Sequence, residues 1–442
     1  LPVAPGTYTA RLERLVARFD PAHPLSPEEA LELAGRGLRE HQVHVPHPRY
    51  FGLFNPAPTF PAQCADRIAS AFNPQLASAT TSPAAVAIEA HVIRSVATRA
   101  GMPACSSGHF TTGGAEANFT AAICALTRAS PDFRRRGARA FAGDPVCYVS
   151  ADSHLAWIKI AHQAGIGRDA MRLVRTDGAG RLDAKELAHA IHHDRRAGFV
   201  PVLVVSTAGT TNAGMVDPIQ ACAELSAENG AWHHVDAAWG GAAIATERGR
   251  ELLPGIAFAD SVTIDAHKWF ATTMGCGMFL TSQPDVVSEA FDVQTTFMPS
   301  HARTVDPYMN SVQWSRRFLG LRLFLSLAAA GWSGYAAHVE RAIALTEVLR
   351  DRLTERGWRT ANDPRLAVLC VEPPASDVDV RTLASRVVQS GSAWISAARF
   401  EGRDVIRACV THGETEPTDI DALVDALSRA FEHERRRVHA AA

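Results

Sequence analysis

An α/β protein built on one large, mostly parallel sheet, with a helical amino-terminal arm and a smaller carboxyl-terminal α+β domain, is the fold class this sequence predicts. Three observations predict it. Between residues 145 and 265, short β-branched runs alternate with amphipathic stretches, as successive βα units require. Ser150, Thr207, Asp236 and Lys268 fall at or just after the carboxyl ends of strand runs, which right-handed crossovers bring to one sheet edge. In the tail, short strands and helices follow an antiparallel pattern. The three parts are expected at 1–72, 73–325 and 326–442.

Taken in order, residues 7–19 and 26–40 read as helices. The second opens Ser26-Pro27-Glu28-Glu29, a cap followed by a first-turn proline and acids. Prolines 46, 48, 56, 58 and 61 then argue against a long regular element around His47 to Pro56. The aromatic side chains of that stretch either fill the core, line a pocket or cross to a partner subunit. A helix is expected over 83–99, then the glycine pair of Phe110-Thr-Thr-Gly113-Gly114-Ala115-Glu-Ala-Asn118 opens another that runs through Leu126. Strands follow at 145–150, 172–175, 200–206, 231–236 and 261–265, with helices at 154–164, 183–193 and 218–229 between them. Residues 278–281 read as a returning strand, 285–296 as a helix and 297–309 as a polar loop. A long helical region runs from Ser311 to Arg356 across a break at Gly331 to Gly334. The tail contributes strands at 367–371, 393–399 and 405–410 and helices at 380–390 and 418–433.

Composition narrows the function classes. Across 442 residues, 44 Lys and Arg meet 46 Asp and Glu, so no net field draws the chain to nucleic acid or anionic membrane. Small-molecule partners are expected. The longest apolar run, Phe318 to Ala330, is broken by Arg322, which excludes a membrane span of about 18 residues. Eight scattered cysteines without a CxxC pair suit reduced thiols and a cytoplasmic setting, and residues 1–9 lack the pattern of a signal peptide. The histidines at 189, 192, 193, 233 and 234 lack metal-ligand spacing, since neighbours on a strand face opposite ways, so no metal site is expected. The runs Arg134 to Arg136 and Arg435 to Arg437 read as solvated faces.

The chemistry centres on Lys268. The run Asp260-Ser-Val-Thr-Ile-Asp265-Ala ends in His267-Lys268, so a buried strand delivers an ammonium group to the sheet edge, and Trp232-His-His-Val-Asp236 does the same for a carboxylate. A cofactor needing a lysine aldimine and an acidic partner for a ring nitrogen is pyridoxal phosphate. Gly113 and Gly114 at a helix mouth leave backbone N–H groups and the positive end of the dipole for a phosphate. Paired glycines alone are usually plain turns, and this pair gains meaning beside Lys268.

These segments, with Ser150-Ala-Asp-Ser-His154, Thr207-Ala-Gly-Thr-Thr211 and His234-Val-Asp236-Ala-Ala238-Trp239, stand in the order found in the group II pyridoxal-phosphate-dependent amino acid decarboxylases. The sequence resembles that family from about residue 40 to 340. The resemblance implies fold type I, the PLP-dependent transferase-like fold, and a homodimer sharing its active site. It implies that Lys268 forms the internal aldimine, that Asp236 keeps the pyridine nitrogen protonated, and that His154 stacks on the ring near the substrate carboxylate. Thr207 and Ala238 contact the ring, while His267 and the amides of Gly113, Gly114 and Ala115 take the phosphate. Leu53, Phe54 and Asn55 line the pocket for an amino acid substrate, whose identity the sequence does not reveal. The implied reaction is decarboxylation of an L-amino acid through a quinonoid, with aminotransferase-like or carbon–carbon chemistry as other outcomes on the same cofactor.

Three positions depart from the family pattern. Thr295-Thr296-Phe297-Met298 puts phenylalanine where many relatives carry the tyrosine that protonates Cα. Either the carbanion meets oxygen, as in aldehyde synthases, or Phe297 is a packed loop aromatic and the acid is His154 or a water. Asp265 stands where many relatives have asparagine near the phosphate, and repulsion predicts that it points away. Ala115 lacks the hydroxyl that many relatives offer the phosphate.

Overall fold

The computed structural model describes residues 2–6, 9–293, 295 and 306–441. Contacts divide the chain into two compact units: Pro58–Arg341 with Asp363–Leu366, and Leu1–Ala57 with Ala342–Asn362 and Ala367–Ala442.

The larger unit holds a seven-stranded sheet made of β1 (Ser107–Thr111), β2 (Pro145–Ser150), β3 (Met171–Val174), β4 (Val200–Thr207), β5 (Trp232–Asp236), β6 (Ser261–Asp265) and β7 (Gly277–Thr281). The spatial order is β1-β7-β6-β5-β4-β2-β3. Strands β2 to β6 pair in parallel, and β7 returns antiparallel between β6 and β1. The strands are near-continuous apolar runs because both faces are covered. Cys147, Val149, Leu203 and Val205 pack on one side with helices Gly114–Ala129 and Ala156–Gln163. Val146, Tyr148 and Val204 pack on the other with Ala184–Arg196 and Ile219–Glu228. Alternate residues of one strand thus serve opposite layers, the two-residue period of extended backbone.

The second unit has a four-stranded antiparallel sheet in the order β10-β11-β9-β8, comprising β8 (Arg359–Thr360), β9 (Val368–Glu372), β10 (Ser396–Phe400) and β11 (Arg403–Cys409). Helices Val380–Gln389 and Pro417–Ala441 bury Leu383, Val387, Leu423 and Leu427 against Leu369, Val371 and Ile406. Phe51 joins this core, Tyr50 stacks on Trp394 at 5.1 Å between centroids, and Phe54 lies beneath the Arg407 guanidinium at 4.6 Å. The aromatic stretch therefore fills a core, one of the readings left open by sequence.

The structure differs from the sequence reading in places. Helix Phe60–Phe72 occupies a stretch to which the sequence reading assigns no element: Thr59 caps it, accepting from the Ala62 N–H at 3.3 Å, and Pro61 sits in its first turn, where a missing N–H costs nothing. Strand β1 is too short and glycine-bearing to stand out in sequence. The long helix begins at Leu321, not Ser311, and runs to Glu355 through a non-helical Gly331 with φ 62° and ψ 179°. No helix among the described residues is long and apolar enough to cross a membrane.

Candidate active site

Three parallel strands aim the expected residues at one edge. The register pairs Thr207 of β4 with Asp236 of β5, and Asp236 with Thr263 of β6, so β4 and β5 end level and β6 runs on to Asp265. After β6 the chain turns tightly, the Lys268 N–H bonding the Asp265 carbonyl at 3.1 Å, which returns the lysine over the sheet edge. Beyond β5 the chain carries Ala238 and Trp239 past the same edge. The Trp239 indole donates to the Gly209 carbonyl at 2.7 Å; Gly209 has φ 98°, and a Cβ there would lie 2.7 Å from the indole.

One cavity results. Gly114, Ala115, His154, Thr207, Asp236, Ala238 and Lys268 all line it, as do Asn118, Gly209, Thr211, Trp239 and Asp265. Gly114 begins helix Gly114–Ala129, whose amino end has no side-chain cap. A Cβ on Gly114 would stand 2.9 Å from Asp265 Oδ2 and 3.2 Å from Ala238 Cβ, so the residue's smallness lets the helix mouth approach the strand ends. Gly113 lies behind it, where a Cβ would be 3.5 Å from His267 Cε1. His267 is buried with Nδ1 against the Cys276 backbone, and burial holds its imidazole below the ordinary histidine range.

The polar contacts are specific. Asp236 accepts from Asn118 Nδ2 at 2.8 Å and from the Ala238 N–H at 3.2 Å. Lys268 Nζ lies 3.0 Å from Asp265 Oδ2. His154 Nδ1 accepts from the Ala156 N–H at 3.1 Å, which leaves the proton of the neutral ring on Nε2. Thr207 Oγ1 and Ser153 Oγ share a hydrogen bond of 2.8 Å, and the Thr207 N–H donates to Asp217 at 2.7 Å. Asp217 also accepts from the Leu182 N–H at 2.7 Å, and burial pushes its carboxyl up to about 7.

Asp265, expected to turn away from the phosphate, lines the cavity with Oδ2 beside Lys268 Nζ. Phe297 lies outside the described residues. Leu53 and Phe54 belong to the second unit, where Leu53 is exposed and Phe54 buried. Asn118 carries no chemical signal of its own in the glycine motif, although its place one helical turn after Gly114 sets it on the same face. Asp217 and Ser153 had no readable signal, because a turn and a bend bring them to Thr207.

Comparison with known proteins places this geometry. A family model described as "Pyridoxal-dependent decarboxylase conserved domain" matches residues 13–370. The chain is 31% identical to the cysteine sulfinic acid decarboxylase of Mus musculus, the match covering 91% of this chain and 85% of that protein. It is 29% identical to the L-2,4-diaminobutyrate decarboxylase of Rhizobium meliloti (strain 1021), over 96% of this chain and 86% of the relative. The crystal structure of mouse CSAD superposes with a TM-score of 0.91 at 28% identity, covering 97% of this chain and 93% of that one. The donor set here fits pyridoxal phosphate: an amine for its aldehyde, a carboxylate for its ring nitrogen, and an uncapped helix end narrow enough to meet a phosphate.

Proposed function

This chain belongs to the pyridoxal-dependent decarboxylase family and is a pyridoxal-phosphate-dependent carboxy-lyase, and from that premise we propose that it converts an L-amino acid to its amine through Lys268 and Asp236. The observation that carries the reading is their meeting in one cavity with His154, Thr207 and Ala238. Pyridoxal phosphate supplies the electron sink that accepts the bonding pair left by departing carbon dioxide.

The chain's residues do the rest. Lys268 Nζ would be the attachment point for the cofactor aldehyde, and its free amine would serve as a base beside the substrate. Asp236, oriented by Asn118 and the Ala238 amide, would face the ring nitrogen as its acidic partner. The amides of Gly113, Gly114 and Ala115, with His267, hold the phosphate, so the missing Ala115 hydroxyl is replaced by backbone donors. Thr207, tied by Ser153 and Asp217, and the Ala238 methyl position the ring. His154 presents its Nε2 proton to the substrate carboxylate side. Asp265 neutralises Lys268 and keeps it oriented. The active enzyme is a homodimer.

A second reading is favoured by Phe297, which has no hydroxyl to protonate Cα. The products are then carbon dioxide, ammonia, hydrogen peroxide and an aldehyde, with dioxygen and water consumed. One experiment separates the two: incubation in air with an amino acid panel including L-2,4-diaminobutyrate, cysteine sulfinate and aromatic amino acids. Amine without peroxide supports decarboxylation, peroxide with aldehyde supports the second reading, and absence of carbon dioxide with every substrate overturns both.

A further inference from the structure

Behind Asp236 runs a hydrogen-bonded chain that reaches no solvent. Asn118 donates to Asp236 Oδ2 at 2.8 Å, and its Oδ1 faces His234 Nε2 at 3.1 Å. His234 Nδ1 faces Ser261 Oγ at 2.7 Å, and Ser261 Oγ accepts from the Trp232 indole at 2.7 Å. His234, Ser261 and Trp232 are fully buried, and Asn118 nearly so. The register pairs His234 with Ser261 on neighbouring strands, so the contact is built into the sheet.

The carboxylate end sets the directions along the chain. An indole N–H only donates and a carboxylate only accepts. With the Asn118 N–H2 on Asp236, its Oδ1 must receive a proton, so His234 carries hydrogen on Nε2. Nδ1 is then bare and takes the Ser261 hydroxyl proton. Thr263 Oγ1, 3.2 Å from His234 Nε2, shares the same N–H as a second acceptor. Burial pushes the His234 imidazole down to about 3, which keeps it neutral and the tautomer unique. The titratable groups that act on it are Asp236 and His233 on its own strand, with Asp265 at the end of β6 and Lys268 after it; helix Gly114–Ala129 brings the uncharged Asn118 to it.

We propose that His234, which does not line the cavity, is a positioning residue that locks the Asn118 amide with its N–H2 toward Asp236, so that the carboxylate meets the ring nitrogen as an acceptor. The inference rests on the assignment of Asp236 to the cofactor's ring nitrogen. A carboxylate that receives a hydrogen bond competes less for a proton, so the proton shared with the ring stays on nitrogen. If the amide turns over, Asn118 Oδ1 faces Asp236 and the balance shifts toward the carboxyl.

The test uses holoenzyme reconstituted with ring-¹⁵N pyridoxal phosphate, reading the nitrogen chemical shift against pH and the cofactor Kd. His234→Leu removes the donor, while His234→Gln restores an N–H2 at the length of Nε2. Wild type and His234→Gln are expected to keep a protonated-nitrogen signal to pH 8. His234→Leu is expected to lose that signal at a pH at least one unit lower, with Kd raised about tenfold. Ser261→Ala, which frees the tautomer with one oxygen removed, is expected to shift the signal in the same direction and is decisive if His234→Leu does not fold. A natively folded His234→Leu or Ser261→Ala with a wild-type nitrogen signal overturns the proposal, as does a folded His234→Gln that behaves like leucine. Asp236→Asn tells the two failures apart: a wild-type signal in that variant means Asp236 does not face the ring, and both assignments fall together.

Discussion

Lys268 is one of only a few side chains here whose chemistry is legible letter by letter, yet its immediate partner was not. The His-Lys pair after an apolar run announces a lysine at a strand end. That Asp265 stands 3.0 Å from its Nζ follows from the tight turn after β6, which brings two residues three apart onto one side. Replacing Lys268 with alanine is expected to abolish the visible absorbance of bound cofactor and to lower activity by several orders of magnitude. Retained visible absorbance would count against its role. Asp265→Asn removes one negative charge from a cavity that receives a phosphate, so cofactor binding is expected to tighten, by up to about tenfold or about 1.4 kcal/mol. A titration showing weaker binding would mean that the carboxylate matters more to Lys268 than to the phosphate.

At the scale of elements, the site depends on how closely a helix can approach the strand ends. Gly114→Ala places a Cβ 2.9 Å from Asp265 Oδ2 and 3.2 Å from Ala238 Cβ, both at the cavity wall. Overpacking of this kind costs roughly 1–3 kcal/mol. The expected result is a cofactor Kd raised at least about fivefold, measured by absorbance titration, while Gly178→Ala, which meets nothing within 4 Å, leaves it unchanged. Parallel strands were readable because buried strands must be apolar on both faces and their carboxyl ends must carry whatever polar residues the site uses. Helix Phe60–Phe72 was not, since Pro61 breaks a helix in its interior and favours one in its first turn, and only the position of Thr59 tells the cases apart.

For the molecule as a whole, the larger unit stores pH dependence in its interior. Burial holds His109 and His234 down at about 3 and His233 at about 4, against 6.5 for the ordinary imidazole. A depressed histidine stabilises the native state in full above pH 6.5 and loses that contribution as pH falls toward its folded value, because the unfolded chain takes up the proton first. Asp217 has the opposite sign: raised from 3.8 to about 7, it contributes fully below 3.8 and loses the contribution as pH rises to 7. Near pH 5, three histidines less one aspartate leave a net uptake of about two protons on unfolding, or about 3 kcal/mol per pH unit. Tm is therefore expected to fall markedly between pH 6.5 and pH 5, with proton uptake measurable by calorimetry in two buffers. A flat profile over that range would show that these groups titrate near their ordinary values.

The order of motifs along the chain, and with it the family, the fold class and the cofactor, is a property of the sequence alone, because each motif is local and its chemistry lies in residue type and spacing. Tertiary structure decided the environment of those groups. That Asn118 faces Asp236, that His234 and Ser261 stand behind it, that Asp217 ties Thr207, and that Asp265 turns toward Lys268 all depend on strand register and helix approach. Such contacts join residues as many as 118 apart, as between Asn118 and Asp236, where no local pattern can carry the information. The physical reason is that a hydrogen bond in a dry interior is chosen by which groups the packed backbone leaves face to face.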